Sequence, residues 1–447
     1  MTRGTMTILL LLAMSAPAWS QQGGNNNGQN RNAAGIEINP TGVVRVIVPR
    51  RESVTAGRKR REDFISGSLP PDMVVTTERR VISLKALEAE VAKSLEATGT
   101  VPPTLKSLCG IYRIDQIVLD ENRKDLYIVG PAEGFAPDTI GRMVCAESGR
   151  PPLQLDDLVV ALRATRRRNS SMGCSIDPTK ENMAALQNYL RQNSTVTTPA
   201  GAAQRYGVMA RVLGMQEVSL WGVPKESHFA SVLVEADLRM KRISLGIERP
   251  AVKGIRSQLS LLKPQGNSLQ RWWFVPQYDP VNVDADHTVF QLAGPRVKLL
   301  AQEEYSDAAG NRFDAASTRQ STEVFAQLFT EHYAELAEKE LVFAELQNLF
   351  DLAILGAIVN REQLDERAEW LADTFLNDER LPLDKYPVPQ FVESASTNRR
   401  AGQFVIGLVG GVELHPEPAI RLNVNEQLHT PPSPRMSAGQ VFVNAGE

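Results

Sequence analysis

His228, Glu235, Arg239 and Arg242 have residue types and spacings suited to acid–base work or anion binding. At 100° per residue they fall along one edge of a single helix. An imidazole and a carboxylate exchange protons near neutral pH, and arginines hold carboxylate or phosphate. The helix that must position them, Ser227 to Leu245, carries two apolar stripes. Phe229, Val232, Leu233, Ala236, Met240 and Ile243 form one, and Val234, Leu238 and Leu245 lie opposite. A helix apolar on two sides is sandwiched between packed layers. Glu235/Arg239 and, on the other polar edge, Asp237/Lys241 are i,i+4 pairs with the acid first, each adding ~0.3–0.5 kcal/mol if exposed. The edge therefore has two readings, a structural ion network or a cleft-lining site.

Other stretches fit known chemistries poorly. In "DLYIVGPAEGF", residues 125–135, an apolar strand runs into a glycine-flanked loop like a phosphate cradle. The fit fails because Gly130 and Gly134 are too close, Pro131 has no N–H, Glu133 repels phosphate and Phe135 replaces the needed lysine. What remains is a tight strand exit, with Pro131 fixing the turn, the glycines taking positive φ, and Glu133 as a contact for a cationic or neutral ligand. In "RWWFVPQY" Trp272 and Trp273 must face opposite sides of a strand, one in the core and one near the surface. An exposed tryptophan beside Arg271 can stack on a sugar ring or grip a partner. The nearest approach to Gly-x-Ser-x-Gly, residues 173–177, lacks the second glycine. His-Glu-x-x-His and Cys-x-x-Cys are absent and the five histidines are scattered, so no cofactor or metal is expected.

The elements around these residues belong to a chain of 447 residues, long enough for two or three domains, with 42% hydrophobic residues and net charge −3. That charge excludes a general nucleic-acid binder. The basic runs at 58–63 and 163–171 read as a solvated linker and a helix end. Residues 1–20, Arg3 followed by "ILLLLAM" and "SAPAWS", read as a signal peptide cleaved after Ala18 or Ser20. The expected mature protein is therefore exported, periplasmic or extracellular. In that oxidising space Cys109, Cys145 and Cys174 form either one bridge plus a free thiol or three buried thiols. The apolar segment 341–359 has Asp351 at its centre, where a charge costs ~2.5–3.5 kcal/mol in a bilayer, so it reads as a core helix and no span is expected in the mature chain.

A Gly/Asn/Gln tether covers 21–35, a hairpin around Asn39-Pro40-Thr41-Gly42 covers 36–48, and a charged linker covers 49–75. An N-terminal α+β domain spans 76–168, with Ser83 capping a helix. A central α+β domain spans 169–312, with Asp177 and Pro178 opening a helix and Gly294-Pro295 joining two antiparallel strands. A region read as two helices closes with a buried strand at 313–415, and a Pro-rich polar tail covers 416–447. The expected fold class is α+β, a mixed multi-domain architecture with antiparallel sheet portions and amphipathic helices packed on them.

Six blocks in order, "DLYIVGPAEGF", "GRPPLQLDDLVVALR", "CSIDPTKENMAALQNYL", "QEVSLWGVPKESHFASVLVEADLRMKRISLGIE", "RWWFVPQY" and "VFAELQNLFDLAIL", resemble an uncharacterised family of exported bacterial proteins, domain of unknown function 1598. The resemblance spans about residues 105 to 415 and implies export, with no activity, cofactor or catalytic residue to carry over. The leading expectation is a soluble, non-catalytic binding module of the cell envelope, its partner an envelope protein or polysaccharide. Two alternatives stand beside it: an envelope-acting hydrolase using His228, Glu235 and Arg239, and a structural subunit of a surface assembly.

Overall fold

The side-chain oxygen of Asn39 accepts the N–H groups of Thr41 (3.0 Å) and Val43 (2.9 Å), and Gly42 takes a φ of 78°. This turn folds β1 (Ile36–Ile38) back on β2 (Val43–Val46). The protein is represented by a computed structural model, which describes residues 35–47, 52–167, 170–193, 195, 198–261, 268–395, 406–429, 434, 436–437 and 439–445. The stretch read as a signal peptide and all but Gly35 of the stretch read as a tether lie outside the described residues.

The strands that follow are β3 (Thr77–Ser83), β4 (Gln116–Asp120), β5 (Asp125–Ala132), β6 (Phe135–Pro137), β7 (Met143–Cys145), β8 (Met172–Pro178), β9 (Met215–Trp221), β10 (Ser268–Gln277), β11 (Val281–Val283), β12 (Val289–Gln291), β13 (Arg296–Ser306), β14 (Arg312–Asp314), β15 (Phe391–Glu393), β16 (Ile406–Leu414), β17 (Leu422–Val424) and β18 (Phe442–Asn444). They form a nine-stranded sheet in the order β1-β2-β15-β9-β8-β16-β10-β13-β14, a seven-stranded sheet in the order β17-β11-β12-β4-β5-β3-β18, and the pair β6-β7. Pairing is antiparallel except β2/β15, β10/β16 and β11/β17, which are parallel.

The longer helices are α1 (Val54–Ser68), α2 (Leu84–Thr98), α3 (Leu155–Thr165), α4 (Lys180–Gln192), α5 (Pro199–Leu213), α6 (His228–Ser244), α7 (Gln320–Glu331), α8 (Tyr333–Lys339) and α9 (Leu341–Arg361). Helices and strands are interspersed without a repeating β-α-β order, so the fold is α+β. One continuous apolar cluster includes Ile36, Ile82, Ile128, Phe229, Trp272 and Phe350, and so draws on both large sheets. At its centre α9 is buried at every position from Val342 to Val359, and α6 is buried on both of its apolar stripes.

Several elements differ from expectation. The stretch read as a linker contains α1, capped by Ser53 on Ala56 N–H; its charged residues leave it polar on nearly every side, so no apolar period marks it. Asp177 and Pro178 end β8, and Thr179 caps α4 by accepting Asn182 N–H. Pro131 continues β5 instead of turning it, and neither Gly130 nor Gly134 has positive φ. Gly294 does take a φ of 102°, but β12 belongs to the seven-stranded sheet and β13 to the nine-stranded one. Residues 318–359 form three helices, and the polar tail supplies β17 and β18.

Candidate functional site

Ser227 caps α6 on Ala230 N–H and so places His228 at the first helical position. His228 Nδ1 lies 2.8 Å from Asp157 Oδ2, on the buried side of α3. Burial pulls the imidazole's pKa down, but the charge and hydrogen bond of Asp157, aided by Glu345 and Asp156, outweigh it and bring the pKa to about 9. Asp156 is pushed up to about 6, mainly by burial and then by Asp384, whose own carboxylate pairs with Lys106 at 2.6 Å. The nearest hydroxyls in sequence are engaged elsewhere: Ser227 Oγ donates to Pro224 O and Ser231 Oγ to Ser227 O.

Two turns further along the same edge, Glu235 is 1% exposed and accepts the Gly35 N–H, so the residues leading into β1 close over it. Arg142 Nη1 lies 3.7 Å from Glu235 and 3.5 Å from Glu345 of α9, and Arg239 lies 3.8 Å from Glu235. Burial drives the Glu235 carboxyl up to about 7; Arg142 and Arg239 oppose the rise and Glu345 adds to it. A Cβ on Gly35 would stand 2.3 Å from Glu235 Oε1, so a larger residue there would push the carboxylate out of its place. Arg239 donates to Glu248 (2.7 Å) and Glu340 (2.8 Å), and Arg242 to Glu248 (3.2 Å). On the opposite edge Lys241 pairs with Asp237 at 2.9 Å and also donates to Ile176 O and Gly410 O.

The structure thus sets His228, Glu235, Arg239 and Arg242 along one largely buried edge, each beside an opposite charge from outside α6, and leaves the other candidates apart from it. Glu133 is buried, with Oε2 accepting the N–H groups of Glu147 (2.9 Å) and Ser148 (3.0 Å). Trp272 packs edge-on against Phe325 in the core and donates to Thr322 O (3.3 Å). Trp273 is half-buried on the other side of β10, with the Arg271 guanidinium 4.5 Å from its ring centroid. Cys109, Cys145 and Cys174 are all free and buried. Among the described residues no three His, Cys, Asp or Glu side chains converge to hold a metal ion.

Sequence reasoning missed Arg142, Glu345 and Gly35 as partners of the row. Glu345 left a signal, a charge within an apolar helix, but Arg142 lies in a loop with no motif. As chemistry, the row holds one buried carboxylate, Glu235, between two guanidiniums. The Asp157–His228 pair adds an oriented imidazole. Searches of curated proteins and of solved structures find no match. Residues 174–258 match the model of a protein family described as a protein of unknown function (DUF1598). The match covers the segment that holds α4 to α6, and with it the whole candidate edge, a narrower span than the resemblance of the sequence blocks.

Proposed function

We propose that this chain is an exported, soluble, non-catalytic binding module of the cell envelope. The N-terminal signal-peptide pattern supports export. The observation that carries the binding reading is the state of the acid–base candidates: Glu235 is sealed beneath Gly35, and Arg239 and Arg242 are engaged by Glu248 and Glu340. A catalytic acid must reach substrate, and Glu235 faces only its own fold. The test is incubation of the mature chain with isolated envelope material, followed by sedimentation and assay for new reducing ends and free amino groups. Co-sedimentation without released product is expected; release of product that His228→Ala abolishes overturns the reading.

The envelope-hydrolase reading has one observation of its own. Asp157 orients His228 through Nδ1, and Nε2 has no hydrogen-bond partner among the described residues. The same assay with His228→Ala decides between the two.

A further inference from the structure

The outward face of the nine-stranded sheet carries a feature that the buried charge row does not use. Strand pairing fixes which side chains share that face. Trp221 opposes Gly173 and Ser219 opposes Ser175 across β9 and β8. Glu413 opposes Gly173 and Gly411 opposes Ser175 across β16 and β8. Trp273 opposes Gly411 across β10 and β16. The alternate positions, Cys174, Val412 and Phe274, point the other way into the core. The outward face therefore reads as Trp221 laid over Gly173 on one side, a floor of Ser175 and Gly411, and Trp273 on the other.

Neither glycine admits a larger residue. A Cβ on Gly173 would lie 2.1 Å from Val412 O and 2.4 Å from the Trp221 ring, and one on Gly411 would lie 1.8 Å from Cys174 O. Both indoles are held in place: Trp221 Nε1 donates to Ser171 Oγ (3.0 Å), and Arg271 stacks on Trp273. They stand three strands apart, ~14 Å at the usual strand spacing. Helices α4 and α5 pack on this face at its far end, where Leu269 meets Met183, Leu186, Met209 and Leu213. Trp273 lies four residues beyond Leu269, ~13 Å along the strand. The rim carries a surplus of carboxylate: Arg271 pairs with Glu413 (2.7 Å), Arg312 with both Asp177 (3.2 Å) and Glu304 (2.7 Å), and Glu217, opposite Asp177, is exposed.

We infer that this trough binds a neutral polysaccharide chain, with sugar rings stacking on Trp221 and Trp273 and hydroxyl groups meeting Ser175, Ser219 and Glu413. A pyranose has an apolar C–H face that suits an indole and a hydroxyl rim that suits paired ionic and hydroxyl groups. The surplus carboxylate at the rim repels an anionic polymer, and a flat floor favours an extended chain over a bulky side chain. The inference rests on the binding-module reading and specifies its ligand class.

The test is calorimetric and fluorescence titration of the full chain with cellohexaose, chitohexaose and maltohexaose. At least one hexasaccharide is expected to bind, with Trp221→Ala and Trp273→Ala each weakening affinity tenfold or more. Ser219 is exposed, so Ser219→Arg fills the trough without touching the core and is expected to give the same loss at an unchanged melting temperature. Absence of binding by all three sugars overturns the proposal, as does undiminished affinity in Ser219→Arg. Binding of an aromatic or proline-rich peptide instead, lost in the same variants, overturns it in favour of a protein partner. Co-sedimentation with envelope material that survives all three variants removes the trough and leaves the binding module standing, whereas product release without co-sedimentation removes the module itself.

Discussion

His228 is the residue whose surroundings make the sharpest claim about pH. Its folded pKa of about 9 lies above its ordinary 6.5 because the attraction of Asp157, with Glu345 and Asp156 behind it, exceeds the burial penalty. The stability that the pair contributes is therefore fully present below pH 6.5 and is lost as pH rises through 9. Glu235 and Asp237, both raised to about 7, act in a lower window: burial is the chief cause for each, and their contribution fades as pH rises from the ordinary carboxylate range through 7. The two windows can be separated. In His228→Gln the decline between pH 6.5 and 9 should flatten, a change of about 3 kcal/mol for a shift of this size, while the decline below pH 7 should persist. Urea unfolding followed across pH 5 to 9 reads the difference. A variant as pH-dependent as the parent above pH 7 would show that the Asp157 contact contributes nothing to folding.

At the scale of elements, α9 shows how one polar residue can organise an apolar helix. Asp351 accepts the Ile114 N–H (3.1 Å) and the Tyr278 hydroxyl (2.7 Å) and meets Arg296 Nε at 3.3 Å, so it joins α9 to the approach to β4, to the end of β10 and to the start of β13. Asp351→Ala leaves two buried donors unmatched and takes from Arg296 the nearer of its two carboxylates, and should cost about 3–5 kcal/mol. Asp351→Asn keeps the shape and an acceptor, so it should cost less. Urea midpoints at an unchanged m value provide the measurement. Asp351 is also where the sequence was most legible, since a charge at the centre of a 19-residue apolar run already argued for a core helix. Helix α2 behind Ser83 and the two-sided α6 were legible for the same reason, because apolar spacing and a cap residue act locally. What stayed hidden depends on contacts distant in the chain. Nothing near residue 142 announces that its guanidinium will bridge Glu235 and Glu345, and nothing at Gly35 announces that its N–H will meet a carboxylate 200 residues away. Local signals also misled where two caps competed: Asp177 and Thr179 both suit a helix start, and the pairing of β8 with β9 through Pro178 selects the threonine.

Across the whole molecule, the last described strand closes the structure on itself. β18 pairs with β3 through Phe442↔Ile82, Val443↔Val81 and Asn444↔Arg80, and so covers one edge of the seven-stranded sheet. Arg80 is fully buried, and its hydrogen bonds go to carbonyls of Asp72, Val75 and Cys109 and to the Asn444 side chain at 2.8 Å, with the Phe442 ring 5.0 Å away. Burial holds its pKa down to about 10. A cation solvated by neutral acceptors depends on every one of them, since each lost acceptor leaves a charged donor without water or partner. Asn444→Ala removes one acceptor and should cost about 1–3 kcal/mol, leaving the edge paired and the oligomeric state unchanged. Truncation after Gln440 removes that acceptor, the ring and the strand together, and bares the backbone of β3 for pairing with another chain. The truncated protein should therefore unfold at lower urea than Asn444→Ala and self-associate as its concentration rises. Light scattering on a sizing column at two concentrations, beside the urea midpoints, separates the lost acceptor from the open edge. A truncated chain that stays as dispersed as the parent would mean that β18 stabilises Arg80 without guarding the sheet.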